Sequence, residues 1–269
     1  MSVTSFTADE SKAISEKITW IRMVCLPGGA IGLWSLANNW PSPHVGWMLF
    51  WWFMTAYFMF CWTSCFHECA HQTLHSSKWF SIWLGRILGT VIFVPYSCYR
   101  ESHIRHHAYL NKPNDFELWP YSDPQCSVTF RRCFAWFDLL VGPISAAITY
   151  GRIYWAKDTP LKEPGIRRVI RNEYIFIALV WCSLFTVLTI NHWWWEFFKI
   201  WGAPVWLAGL YQTGRKFTEH LGMSSYDPML GTRTVLGLNW FTRMCTFLNF
   251  DIFVHGPHHR HPRVASIGS

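Results

Sequence analysis

The sequence predicts an all-α integral membrane protein, with four transmembrane helices in two hairpins under a cytoplasmic helical cap. Three observations lead there. Of the 269 residues 51% are hydrophobic and 19% aromatic, against 14% charged, an apolar load above that of ordinary soluble domains. Four stretches approach the ~20 apolar residues with which a helix, rising ~1.5 Å per residue, crosses ~30 Å of hydrocarbon. Basic residues avoid the hairpin turns and gather between the hairpins.

Residues 1–18 are polar and include Asp9, Glu10 and Glu16, so they do not read as a cleavable leader, and the N-terminus is expected in the cytoplasm. The first span is expected at 20–37 and the second at 44–66, joined by a turn at 38–43 that lacks Lys and Arg. Two further apolar stretches, 79–95 and 134–150, contain Arg86 or Gly142-Pro143 and read as interfacial or re-entrant segments. The third and fourth spans are expected at 174–190 and 193–211, turning at Asn191-His192; Glu196 and Lys199 can pair near one end of the fourth. Between the hairpins lie Arg105, Lys112, Arg131, Arg132, Arg152, Lys157, Lys162, Arg167 and Arg168, which the positive-inside rule assigns to the cytoplasm. An even number of crossings puts both termini there too. With no internal repeat, 1–269 reads as a single membrane-embedded domain.

This topology accounts for the net charge of +7. No basic repeat interleaved with aromatics suggests a nucleic-acid partner. The nine cysteines are an odd number without a CxxC, and Cys61, Cys65 and Cys69 share one helix face, which points to reduced thiols used for packing.

Thirteen histidines are present, and eight form three clusters: His67 and His71; His103, His106 and His107; His255, His258 and His259. Residues i, i+3 and i+4 share a helix face, so each of the first two clusters can aim its rings at one point. In the third, Gly256-Pro257 allows a turn or a helix start. Neutral imidazole suits iron, copper, zinc or nickel, and eight such ligands exceed the capacity of one ion, so two ions are the economical count. Surface histidines do not account for a repeated HxxHH. A rival reading is hidden in the first cluster: 67–71 satisfies HExxH, the zinc-peptidase pattern with Glu68 as general base. It leaves at least five clustered histidines idle. A carboxylate di-iron site needs two Glu-x-x-His motifs, and only Glu68 to His71 supplies one.

One HxxxH and two HxxHH boxes on two membrane hairpins resemble the membrane fatty acid desaturase/hydroxylase superfamily, with three histidine boxes and a non-haem di-iron site. The wording of His67-Glu68-Cys69-Ala70-His71, Arg100-Glu101-Ser102-His103, Glu219-His220-Leu221-Gly222 and Thr232-Arg233-Thr234 is similar to acyl-lipid desaturases. The resemblance implies two Fe2+ ions in the cap, held by His67, His71, His103, His106, His107, His255, His258 and His259, with His220 as ninth ligand and no catalytic residue beyond the ligands. It further implies O2 as co-substrate, a lipid acyl chain as substrate and desaturation as the reaction, with hydroxylation or ketolation of a lipid or carotenoid as the alternative. Electrons would come from a separate ferredoxin or cytochrome b5-type donor, since Pro27-Gly28-Gly29 lacks the preceding histidine of a fused cytochrome b5 module. Glu68, Glu101, Asp115, Glu117 and Glu219 are candidates to orient the rings. Asn249 could orient a metal-bound water or cap a turn, His75 and His261 read as outer or surface residues, and His44 and His192 fall on the opposite side of the membrane.

Overall fold

The computed structural model describes residues 20–22, 28–29, 31–33, 35–36 and 44–262. The regular elements among them are helices, without a strand. The expected first span, 20–37, lies partly outside the described residues, and those described within it are helical.

Helix α1 (Val45–His71) is apolar on nearly every side and ends at Gln72, whose left-handed φ of 58° lets its N–H close on Cys69 and Glu68. It overruns the expected boundary at 66 and carries the first histidine box in its last turn. Helices α2 (Lys78–Val91) and α3 (Tyr96–Ala108) meet at 105° across a short break, so the stretch 79–95, expected to be interfacial or re-entrant, is the first arm of a bent pair of the kind a re-entrant loop or a broken span makes. Ser77 caps α2, its Oγ accepting from Phe80 N. Helices α4 (Val128–Leu140) and α5 (Gly142–Trp155) follow, then α6 (Pro164–Ile190), which starts on a proline ten residues before the expected third span.

The expected fourth span, 193–211, is interrupted. It comprises α7 (Trp194–Phe197), a π-turn (Phe198–Gly202) and α8 (Ala203–His220). Pro204 starts α8 without the N–H that would continue the preceding ladder, and α8 runs nine residues past 211, taking in Arg215, Lys216, Glu219 and His220. Among the described residues, by length and composition, two helices, α1 and α6, can cross a membrane, or three segments if the bent α2–α3 pair is one span. Short helices α9 (Pro228–Gly231), α10 (Trp240–Leu248) and α11 (His255–Arg260) are the last of the described elements, with Asn239 and Thr242 forming a capping box at α10.

Helix α1 is central, packing on α2 and along α8, which also meets α4 and α5. At two crossings a side chain would not fit. A Cβ on Gly85 would run into the Tyr96 ring and one on Gly209 into the Pro143 ring, so α2 and α8 approach their neighbours at backbone distance. The distribution of polarity is inverted relative to a water-soluble protein. Arg22, Glu68, Asp115, Asp138, Arg215 and Glu219 are buried, while α6 turns Ile175, Phe176, Leu179 and Ile190 outward. Such an apolar exterior is at home in lipid. Cys61, Cys65 and Cys69 pack in the core with Phe66 and Tyr96, and none of the described cysteines forms a disulfide.

Candidate metal centre

Four segments deliver histidines to one place: the end of α1, the last two turns of α3, the end of α8, and α11. The third box is therefore a short helix, with Pro257 in its first turn and Gly256 N donating to Thr234 Oγ1 at 3.1 Å. Arg233 holds the segment after α8 in place, its Nη1 donating to Thr218 O at 3.1 Å and Leu221 O at 2.9 Å.

The nine predicted residues divide into two sets. His67, His71, His103, His107 and His258 have ligand atoms within 4.8 Å of one another; so do His106, His220 and His259, and so do Glu219, His220 and His255. His255 Nε2 lies 3.1 Å from His259 Nε2 and 2.8 Å from His220 Nε2, which joins the last two groups into one. The expectation that His103, His106 and His107 aim at one point is corrected: His106 leaves the other two for the second set, and in the third box His258 likewise leaves His255 and His259 for the first. On a helix the i+3 ring stands off the i, i+4 line, so each HxxHH box serves two centres, whereas His67 and His71 serve one.

The donor geometry fits metal ions. Two ligands at right angles about an ion, each at roughly 2.1 Å, stand about 3.0 Å apart. The inward nitrogens keep that spacing, with His103 Nε2 3.1 Å from both His71 Nε2 and His107 Nε2. His67 Nε2 and His258 Nε2 are buried without a hydrogen-bond partner. Burial and neighbouring imidazoles push His255, His258 and His259 well below the usual histidine range, so they are neutral, the form that binds metal.

The outward nitrogens face acceptors that fix the rings. His67 Nδ1 meets Glu68 Oε1 at 3.2 Å, His103 Nδ1 meets Glu117 at 3.0 Å, His106 Nδ1 meets Asp115 Oδ2 at 2.9 Å, and His255 Nδ1 meets Ile252 O at 3.2 Å. Burial raises the Glu117 carboxyl above the usual carboxylate range, against the opposing pull of His106 and Tyr150. Of the five candidate carboxylates, Glu101 does not reach a histidine and pairs with Arg100 at 2.6 Å. Glu219 sits among the ligand atoms themselves, its Oε2 3.6 Å from His255 Nε2 and its Oε1 without a hydrogen-bond partner. Glu68 is committed to His67 and, through Oε2, to Thr73 Oγ1 at 2.6 Å, an arrangement that does not favour a peptidase base.

The other candidates lie elsewhere. Asn249 is structural, accepting from Ser64 Oγ at 2.8 Å and donating to Cys245 O and Tyr57 Oη, both at 3.2 Å. His75 accepts from Ser77 N at 2.9 Å beside Phe80, and His261 follows α11 at the surface. His44 precedes α1, a helix length of about 35 Å from His67, and His192 follows the far end of α6.

A cavity of about 190 Å³ opens from the histidines between α1, α2, α5 and α8. Sequence reasoning missed three polar groups, two of which, Asp138 and Arg215, border it. Asp138 is buried and bonded to Ser145 Oγ, Tyr121 Oη and Lys216 Nζ, tying α4, α5 and α8 together. Glu173 of α6 holds the start of α3, accepting from Ser97 N and Oγ at 2.8 Å and from Arg86 Nε at 3.0 Å. Arg215 is buried on α8, one turn before Glu219. Charges embedded in apolar stretches were the signal that could have flagged all three.

The chain matches the protein family described as Fatty acid desaturase over residues 45–266, which takes in every histidine of the two sets. No curated protein matches it.

Proposed function

The chain belongs to the fatty acid desaturase family, and on that premise we propose that this membrane oxidoreductase introduces a double bond into a lipid acyl chain, using O2, two iron ions and an external donor of the ferredoxin or cytochrome b5 type. The observation that carries the reading is the pairing of two imidazole sets with an apolar cavity that ends on them. Met59, Trp62, Phe66, Phe93 and Val205 line that cavity and suit a hydrocarbon.

Bound iron would supply the oxidising power: two hydrogens leave adjacent carbons and, with two electrons from the donor and two protons, O2 is reduced to two waters. The protein's own work is positional. Glu68, Glu117, Asp115 and Ile252 O hold the rings, and buried α1 and α8 side chains exclude bulk water and align the chain. The proposed topology has four crossings, with the segments 20–37 and 193–211 as the remaining two, and the histidines, both termini and the donor surface on the cytoplasmic side. The basic residues between α3 and α6 support that side.

Mass spectrometry of lipids from cells expressing the chain with a donor, against a His106→Ala control, tests the reading. A product two hydrogens lighter that depends on His106 is expected. A product heavier by one oxygen would replace desaturation by hydroxylation. Unchanged acyl lipids and carotenoids, with a donor shown to deliver electrons, would overturn the proposal.

A further inference from the structure

The cavity is apolar along most of its wall; Asp138 and Lys216 on it pair with each other, but one cation on it has no such partner and does not fit a pure hydrocarbon. Arg215 lines it, is nine-tenths buried, and has both Nε and Nη1 without a hydrogen-bond partner. Its nearest anion is Glu219, with Nη1 3.8 Å from Oε1, beyond hydrogen-bond reach. The face of the guanidinium leans toward the Phe60 ring, 6.0 Å from its centroid. A guanidinium presents donors only, and burying them unpaired is strongly unfavourable unless something else supplies acceptors.

Two neighbours extend the polar collar. Thr63 and Gln212 also line the cavity, and Thr63 Oγ1 donates to Gln212 Oε1 at 2.7 Å, which leaves the Gln212 amide nitrogen as a further donor. Beyond the collar the wall returns to Trp62, Trp201 and Phe93. The order from the metal centre outward is thus ligands, donor collar, apolar wall.

We infer that Arg215 is a specificity-determining residue that binds an acceptor oxygen of the substrate, a carboxylate, carbonyl or hydroxyl, inside the cavity. The substrate then lies with its oxygenated end at the collar and its hydrocarbon body along the apolar wall. The Glu219 carboxylate neighbours both the Arg215 guanidinium and the His255 ring, with Oε1 3.8 Å from Arg215 Nη1 and Oε2 3.6 Å from His255 Nε2. The carbon offered for oxidation is therefore a few bonds from that oxygen and not deep in the chain. This deepens the proposed function, and rests on it only for the oxidation step.

The test is tryptophan quenching in the detergent-solubilised, metal-loaded full chain by three probes that differ at one end: ω-bromododecanoic acid, ω-bromododecanol and bromododecane. The bromine reports through Trp62 and Trp201, and a Trp62→Phe/Trp201→Phe variant supplies the background. With concentrations referred to the micelle phase, the acid or the alcohol is expected to bind about tenfold or more tighter than the bromoalkane, the value of a charge-assisted hydrogen bond. Arg215→Met should bring the three probes together, and Arg215→Lys should keep part of the preference. Equal binding of the three probes to the unaltered chain would overturn the inference without touching lipid oxidation, and so would an Arg215→Met variant that keeps its metal and the preference. A preserved preference in a chain that alters no cellular lipid would instead remove the proposed function and leave the Arg215 site standing.

Discussion

The two histidine sets draw on the same boxes and differ in what holds them. The first has five imidazoles, and its outer carboxylates, Glu68 and Glu117, rest on side chains: Glu68 on Thr73, Glu117 on Tyr150. The second has four imidazoles and Glu219, and its outer carboxylate, Asp115, rests on backbone: Oδ2 accepts from Asn111 N and Oδ1 from Leu118 N, both at 3.3 Å. One set is therefore tuned by replaceable side chains, the other by main-chain geometry that mutation cannot remove. The second should be the more tolerant of distant substitutions and the less tolerant of changes at Asp115 itself.

The largest effect tests whether there are two sets at all. His71→Ala strips the first and His259→Ala the second. Each should lower bound metal from about two equivalents to about one and reduce lipid oxidation by at least ~100-fold, beyond what outer-ligand losses cause. Metal analysis of the purified variants beside activity checks this. A variant that sheds both metals together would merge the sets into one cooperative centre.

Next in size is the contrast between Asp115→Asn and Glu117→Gln. In Asp115→Asn, whichever side the new amide NH2 takes, it faces a donor: Leu118 N on one side, His106 Nδ1 and Asn111 N on the other. Metal affinity of the second set should fall about 10–100-fold. Glu117 offers both oxygens to His103 Nδ1, at 3.0 and 3.2 Å, so the glutamine keeps an acceptor there and the loss should be only a few-fold. Chelator competition on the two variants measures the ratio. Equal losses would break the distinction between backbone-held and side-chain-held carboxylates.

Glu219→Gln comes third. If the carboxylate is the second set's fifth donor, its amide should weaken that metal by about tenfold and leave the first alone. Unchanged chelator resistance would mean that four imidazoles suffice.

Much of this centre was legible in the sequence because i, i+3, i+4 spacing is a property of the helix alone. His67 with His71 and the two HxxHH boxes could be placed without tertiary information. The allocation of His106 and His258 to the opposite sets was not, since it depends on how α3 and α11 cross. The same holds for the carboxylates: Glu101 and Glu117 were equal candidates near one box, and only the rotation of α3 gives Glu101 to Arg100 and leaves Glu117 facing His103. The apolar run at 193–211 was visible, but its break at Phe198–Gly202 and its continuation to His220 were not, because hydropathy does not register the proline that starts a helix or the cavity that Arg215 and Glu219 line. Membership of the fatty acid desaturase family, by contrast, was already carried by the boxes and their neighbours.

The smallest effect is the sharpest test of the comparison, because it acts three contacts from any metal. Thr73 Oγ1 donates to Glu68 Oε2 at 2.6 Å, and Glu68 Oε1 faces His67 Nδ1. Thr73→Val keeps the shape and deletes that donor, so a buried carboxylate loses one partner, which costs about 1 kcal/mol, or roughly fivefold. Glu68 can then turn from His67, and the first set should hold its metal roughly fivefold less tightly while the second is unmoved. No side-chain substitution offers the equivalent on the second set, since the donors to Asp115 are the main-chain N–H groups of Asn111 and Leu118. Chelator-release kinetics that resolve the two metals would show a faster first phase and an unaltered second. If both phases quicken together, the sets share their outer support, and the division into a side-chain-held and a backbone-held half is wrong.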